Sequence, residues 1–283
     1  MPEPTLAAKN LDWFVPDAMP AEQACLRTTH LSIAAHQDDT EIMAFHGIAE
    51  CYQKNARWFG AIVVTDGAGS PRAGTFAHYS NTQMKLVRKI EQRKAAELGQ
   101  YSFVCQLGYP SADIRNADHE PSVSDLAAII SACQPRVVYL HNLADKHETH
   151  IALALKSIAA LRRLPANRRP KKVYGCEIWR DLDWLADDQK IPLRVDQNEG
   201  LARRLLDVFQ SQVSGGKRYD LAAIGRRIAH ATFSEPRQTD QAAALSWAMD
   251  LSALMVNDAL TPRELLRQQL DNFSASVLAK LGD

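Results

Sequence analysis

The sequence predicts an α/β protein: a Rossmann-like three-layer fold with a mostly parallel sheet and a helical C-terminal extension. Three observations lead there. Short, near-continuous apolar runs alternate with longer stretches of helical period, the pattern of parallel strands buried on both faces. These pairs follow one another as far as residue 178, and right-handed crossovers would wind them into one sheet. From about Glu199 onward the chain reads mostly as helix.

The elements follow in order. Residues 1–30 read as an irregular lead-in broken by Pro2, Pro4, Pro16 and Pro20. The first strand is 31–35, and residues 41–54 can form a helix. The run 59–65 is a second buried strand that ends at Asp66-Gly67. A polar loop over 68–81, with Gly69, Pro71 and Gly74, is long for a strand-to-helix connection. A helix over 83–98 carries Met84, Leu86, Val87, Ile90 and Ala95 and closes at Gly99. A third strand at 102–107, a helix at 124–133 stopped by Pro135, and a fourth strand at 137–141 come next. A helix over 147–161 and a fifth strand over 173–178 complete the alternation. Helices are expected at 201–210, 221–229, 241–254 and 262–281. No internal repeat or low-complexity linker interrupts the chain. The expectation is one domain over 1–283, with a core at about 30–215 and C-terminal helices at about 216–283.

Composition narrows the partners. The 283 residues are 46% hydrophobic, and 33 basic residues balance 33 acidic ones. Bulk charge therefore gives no reason to expect nucleic acid or a membrane surface as partner. The basic cluster Arg162, Arg163, Arg168, Arg169, Lys171 and Lys172 reads as a solvated loop after a helix rather than a polyanion site. Five scattered cysteines without a CxxC exclude a cysteine-rich zinc site. Cys51, Cys105 and Cys133 lie in apolar runs as small hydrophobes. The cysteine usage fits a reducing, cytoplasmic compartment. The start Met1-Pro2-Glu3-Pro4-Thr5 has no basic, then apolar, leader pattern, and no apolar run reaches membrane-spanning length. The expected partner is a small molecule, and self-association into a homo-oligomer stays open.

Two clusters carry chemistry. His36-Gln37-Asp38-Asp39-Thr40-Glu41 follows the first strand, and Asp145-Lys146-His147-Glu148-Thr149-His150 follows the fourth. Ligands bind at the carboxyl ends of strands in such sheets. A catalytic zinc asks for three N or O ligands and an open position. Taken alone, Asp38-Asp39 is a turn or helix cap, and His147 with His150 is an exposed helix face. Together, at successive strand ends, they point to one metal site. No GxGxxG follows the first strand, which disfavours nucleotide binding. His46, His78, His119, His141 and His230 lack ligand spacing.

These residues resemble the PIG-L/LmbE-like zinc-dependent N-deacetylases. Ala35-His36-x-Asp38-Asp39-x-Glu41 is similar to the family's first signature and Asp145-x-His147-x-x-His150 to its second. Thr65-Asp66-Gly67, Arg88-x-x-Glu91, Leu107-Gly108-Tyr109 with Asp113, Tyr174-x-x-Glu177-x-Trp179 and Ser211-Gln212 extend the resemblance over roughly 30–215. The chain departs from the pattern at Gln37, where the family usually has Pro. It departs again at His147-Glu148-Thr149-His150, where the family usually reads His-Pro-Asp-His, and at Phe45-His46-Gly47, where a glycine pair is common.

The resemblance implies a metal-dependent hydrolase that removes an acyl (acetyl) group from an N-acylated amine such as an N-acetylglucosamine-type sugar conjugate. His36, Asp39 and His150 would hold Zn²⁺, with another divalent metal as the alternative. Asp38 would act as general base. His147, at i,i+3 from His150, would stabilise the oxyanion. The leaving amine would be protonated by Asp38 or His147. Glu41 and Asp145 would orient His36 and His147 through their ring N–H groups; helix capping and a first-turn dipole contact are the alternatives. Arg72 and Asp113, on segments that follow strands, are the expected substrate contacts. Trp179, Trp184 and Tyr109 are candidates to stack on a sugar or to pack in the core. Arg88 and Glu91 read as a structural ion pair. Two other classes remain: an Fe(II) oxygenase on the same two-His-one-carboxylate set, against which the free Asp38 counts, and a non-catalytic ligand-binding protein.

Overall fold

The computed structural model describes residues 6–281. Pro2 and Pro4 of the expected lead-in, and the last two residues of the C-terminal segment, lie outside that range. The chain runs β1 (Asp12–Phe14), α1 (Ala21–Arg27), β2 (His30–Ala34), α2 (Asp39–Met43), α3 (Phe45–Cys51), β3 (Phe59–Thr65), α4 (Asn81–Leu98), β4 (Phe103–Tyr109), α5 (Ser111–Arg115), α6 (Glu120–Cys133), β5 (Val137–His141) and α7 (Glu148–Arg162). It continues through β6 (Lys172–Cys176), β7 (Lys190–Arg194), α8 (Glu199–Asp207), α9 (Gln210–Val213), α10 (Tyr219–Thr232), β8 (Leu245–Asp250), α11 (Ala253–Val256) and α12 (Pro262–Leu278).

The eight strands lie in the order β1-β4-β3-β2-β5-β6-β8-β7. The five central strands are mutually parallel, and β1, β8 and β7 join antiparallel. From β2 the chain winds outward through β3 to β4, then crosses back so that β5 lies on the other side of β2. The strand order reverses between β2 and β5, and a crevice opens there at the carboxyl ends of the strands. Both histidine clusters leave the sheet at that point.

Pleating sends alternate residues to two apolar layers. Leu31, Ile33, Ile62 and Val64 pack with α6 and α7, while Ala34, Ala61 and Val63 pack with α3, α8 and α10. Each fully buried Leu or Ile contributes roughly 1.5–3 kcal/mol over an exposed one. Helix ends obey local chemistry: Ser80 with Gln83, and Thr261 with Glu264, form capping boxes on α4 and α12. All five cysteines are buried and free. No helix among the described residues is long and apolar enough to cross a membrane.

Two expectations fail. The stretch 241–254 is not one helix: Leu245–Asp250 is a strand pairing antiparallel with both β6 and β7. Its Leu245, Trp247 and Met249 face one layer and Ala248 the other, a period of two that the preceding Ala242–Ala244 obscure. The described part of the lead-in is also ordered. Trp13 stacks on Phe103 with ring centroids 4.8 Å apart, and β1 pairs with β4. The basic cluster is largely consumed internally. Arg162 donates to the carbonyls of Leu254 and Leu260, and Arg169 to those of Arg162 and Met255 and to Asp258, clamping α7 to the α11–α12 connection.

Candidate metal centre and its cleft

β2 gives way to a turn where Ala35 is held from both sides. Its N–H donates to Nε2 of His141 (2.9 Å), and its carbonyl accepts from the Thr65 N–H (2.9 Å) and hydroxyl (2.7 Å). The chain then reverses at Asp38, whose φ of 90° is a conformation that non-glycine residues rarely take. Asp39 opens α2 and accepts the His36 backbone N–H on Oδ2 at 2.7 Å.

Three donor atoms converge. His36 Nδ1 lies 3.1 Å from Asp39 Oδ2 and 3.1 Å from His150 Nε2, and His150 Nε2 lies 3.3 Å from Asp39 Oδ2. A tetrahedral zinc with bonds of about 2.0–2.1 Å has ligand-to-ligand edges of about 3.3 Å. The triangle therefore fits such an ion in both size and donor type. Wider sets surround it: donors of His36, His147 and His150 lie within 4.8 Å of one another, as do those of Asp39, His141 and His150. Hydrogen bonding removes two of these residues as ligands. His141 spends its Nε2 lone pair on the Ala35 N–H. His147 caps α7 by accepting the Thr149 N–H on Nδ1 at 3.2 Å, so its neutral ring carries the proton on Nε2 and can donate there.

His150 is oriented from behind. Its Nδ1 lies 3.0 Å from Asp145 Oδ2, so Nδ1 carries the proton and Nε2 is left free for a metal, the usual carboxylate–histidine–metal arrangement. Asp145 thus serves His150, not His147 as expected. Glu41 is also elsewhere: its Oε1 accepts from Gln92 Nε2 (2.9 Å) and from the Tyr101 hydroxyl (2.7 Å) in a buried pocket, away from His36. Burial raises its pKa to about 7.

Electrostatics splits the two adjacent carboxyls. Burial opposes ionisation of Asp39, but His150 and His36 outweigh it and hold Asp39 well below the usual range. Asp38 is raised well above that range by burial, against the pull of Arg88. Its Oδ1 is 3.3 Å from Arg88 Nη2, and its buried Oδ2 has no partner. Such divergence between neighbouring acids is how one site obtains both a permanent anion and a proton acceptor. Burial lowers His36, and burial with the neighbouring His150 lowers His147 to about 4. His150 resists burial because Asp39 and Asp145 flank it, and without a metal it is raised to about 9.

A cleft of about 580 Å³ opens over the triangle, lined by His36, Asp38, Asp39 and His147. Further out its lining includes polar Ser70, Ser111 and Arg115 and apolar Ile42, Trp179 and Tyr219. Neither expected substrate contact lines it. Arg72 bends back to the Ala68 carbonyl and Asn81, and Asp113 points to His119 at 3.9 Å. Their segments do reach the cleft, through Ser70 and Pro71 on one and Ser111 and Arg115 on the other. Of the three aromatics, only Trp179 lines it. Tyr109 bonds to Asp125 (2.7 Å), and Trp184 packs on Phe273.

Arg88 and Glu91 do not pair. Arg88 reaches Asp38, Ser70 and the Gln37 carbonyl. Glu91 accepts from the Ser211 N–H (2.7 Å) and hydroxyl (2.6 Å), anchoring the segment that brings Gln212, Lys217 and Tyr219 to the cleft. His141 is the neighbour that spacing did not reveal: it is stacked on His150 with centroids 3.9 Å apart. The available signal was its place as the last residue of a strand that ends at the crevice.

Known proteins bear on this arrangement. A search among curated proteins finds no match. Solved structures share the fold at low identity. N,N'-diacetylchitobiose deacetylase from Pyrococcus horikoshii is 15% identical with a TM-score of 0.61, over 81% of this chain and 86% of that one. A conserved protein from Thermus thermophilus is 17% identical with a TM-score of 0.59, over 79% and 94%. GalB, the 4-carboxy-2-hydroxymuconate hydratase of Pseudomonas putida KT2440, is 16% identical with a TM-score of 0.58, over 79% and 96%. The profile of the PIG-L family, described as GlcNAc-PI de-N-acetylase, matches residues 31–161, the stretch that runs from β2 to the end of α7 and contains both clusters. Over that stretch the chain is similar to the PIG-L family.

Proposed function

We propose that the protein is a metal-dependent N-deacetylase, with zinc as the metal and an N-acetylated amino-sugar conjugate as the substrate class. One observation carries the reading: the 3.1, 3.1 and 3.3 Å triangle of His36, Asp39 and His150 lies next to a buried, partnerless Asp38 oxygen. When bound, the metal supplies a Lewis acid and brings a coordinated water's pKa to about 7. Asp38 accepts the proton of the attacking water on its free Oδ2, and the same raised acidity range lets it return that proton to the leaving amine. Arg88 fixes the other oxygen of Asp38. His147 offers Nε2–H to the amide oxygen as negative charge builds there, and it does so as a neutral ring. Asp145 keeps His150 in the tautomer with Nε2 free. Trp179 offers a face for a sugar ring. The deacetylase relative from Pyrococcus horikoshii supports this chemistry on the same fold, and five buried free thiols suit a reducing compartment.

A second reading, metal-assisted hydration of an unsaturated acid, draws on the GalB relative and on two cleft cations. Arg115 donates to Thr149 and Lys217 lies over Trp179, and neither meets a carboxylate among the described residues. One experiment separates the readings. The purified protein is assayed with N,N'-diacetylchitobiose for acetate and free amine in equal amounts, before and after chelation and zinc return, and with an unsaturated dicarboxylate for loss of ultraviolet absorbance. Zinc-restored acetate release is the expected result. Hydration without acetate release would replace the first reading with the second.

A further inference from the structure

Gln37 occupies the one position inside the first cluster where this chain departs from the signature it resembles. A long polar side chain there is buried to 2% exposure, which is costly unless it is used. Its Nε2 donates to the Thr65 carbonyl (3.2 Å) and to Gln106 Oε1 (3.2 Å), and its Oε1 has no partner. Gln106 Nε2 in turn donates to Asp12 Oδ2 (3.1 Å) and to the Lys89 carbonyl (3.1 Å). Asp12 also pairs with Arg93.

The direction of this chain of bonds is forced. An ionised carboxylate and a carbonyl only accept, so Asp12 and Lys89 oblige Gln106 to turn its NH₂ toward them. Its oxygen is left facing Gln37, which must answer with its own NH₂. The Thr65 carbonyl makes the same demand. Gln37 is thus fixed in one orientation by β1, β3 and β4 together, at the expense of its orphaned oxygen. Its backbone carbonyl accepts from Arg88 Nη2, the nitrogen that also reaches Asp38. Its peptide neighbours are His36 and Asp38, the latter at φ 90°. Gly67, at φ +70°, leaves room beside the amide; a Cβ there would stand 2.5 Å from Gln37 Oε1.

We propose that Gln37 is a positioning residue, and that the relay Asp12–Gln106–Gln37 ties the edge strand β1 to the turn that presents His36 and Asp38. The relay acts on geometry alone and touches neither substrate nor metal. Its catalytic consequence rests on the hydrolase reading above, while its effect on the ligand geometry does not. Gln37→Met keeps length and packing and removes both hydrogen bonds. Partners that orient metal ligands typically matter by 10–100-fold, and kcat of Gln37→Met is expected to fall about 10-fold, with KM within about 2-fold of the parent's. Gln106→Met should give the same split, and the double variant should be no worse than the worse single one, because both break one relay.

Cobalt-substituted protein gives a readout that needs no substrate. The visible bands of Co²⁺ should shift alike in Gln37→Met and Gln106→Met relative to the parent. If the parent binds cobalt but hydrolyses no amide, the functional reading falls and the band shift still decides the relay. Unchanged bands together with parental kcat in either variant overturn the proposal, as does a double variant whose losses multiply. Should Gln37→Met fail to fold, Gln106→Met alone decides by the same criteria.

Discussion

The turn after β2 takes its support from far along the chain, whereas the turn after β5 is held largely by its own residues. Asp38 N–H is received by Gln92, Gln37 is held by Gln106, and Arg88 grips the Gln37 carbonyl and Asp38. All these partners lie 50 or more residues downstream. In the second turn Asn142 accepts from the Ala144 N–H, Asp145 from the Lys146 N–H and from His150, and His147 from the Thr149 N–H. Its outside ties run to Cys176, the last residue of β6, and to Arg180 in the segment that follows. The difference follows from backbone shape. A helix cap is a low-energy conformation that local side chains can satisfy, but an aspartate at φ 90° persists only when its surroundings over-determine it. On the mechanism proposed above, the strained turn would carry the general base and the relaxed turn the donor to the oxyanion.

The sharpest way to break this contrast is Asp38→Asn, which keeps size and polarity but cannot take a proton. Turnover should drop on the order of 10²–10⁴ with metal content unchanged by elemental analysis. Activity within a few-fold of the parent would sink the base role. Asp145→Asn probes the self-held turn: zinc affinity should weaken about 10–100-fold as His150 loses its anchor, measured by competition with a chromogenic chelator. An unaltered affinity would mean the helix cap alone suffices to hold His150.

Next in size is the far end of β2. Burial keeps His30 neutral with a pKa of about 4, against an ordinary 6.5. Below pH 6.5 the unfolded chain gains a proton that the folded chain refuses, so stability is full above 6.5 and is lost as pH falls toward 4. At about pH 5.5 the loss attributable to His30 should be about 1 kcal/mol, seen as a urea midpoint that falls less in His30→Gln than in the parent. Equal falls in both proteins would assign the pH response to other groups. The smallest effects concern the cleft wall. Trp179→Ala should raise KM about 2- to 10-fold, while Arg72→Ala, whose side chain folds back on its own loop, should leave KM unchanged. A larger effect from Arg72 would return it to the binding surface.

How far the site was legible follows from the same distinction. His36, Asp38, Asp39, His147 and His150 stand in two short local clusters, and the sequence puts both at strand ends, so their meeting required only a parallel sheet with a switch between β2 and β5. Asp145 was legible as a supporting carboxylate but not as the partner of His150, because a helix cap rotates His147 away from it. Glu41 was expected to orient His36 and Arg88 to pair with Glu91 at helical spacing, while their side-chain partners come from other elements: Tyr101 for Glu41, Asp38 for Arg88 and Ser211 for Glu91. The strand at 245–250 was hidden by the alanines just before it, Ala242–Ala244, and β1 by its three-residue length. Apart from the Asp145–His150 contact, which spans five residues, the deciding contacts are long-range, and no window of sequence contains both of their ends.

The cap on α7 carries a consequence of its own. The Thr149 N–H that points at His147 is one of the free backbone donors at the start of that helix, and it determines which ring nitrogen holds the proton. The winding of one helical turn therefore selects the chemical form of the side chain in front of it. If the first turn of α7 frays, the imidazole is free to exchange tautomers and to present a lone pair where the proposed mechanism calls for a hydrogen-bond donor. On the proposed role of His147, the supply of that donor would then follow the winding of this one helical turn.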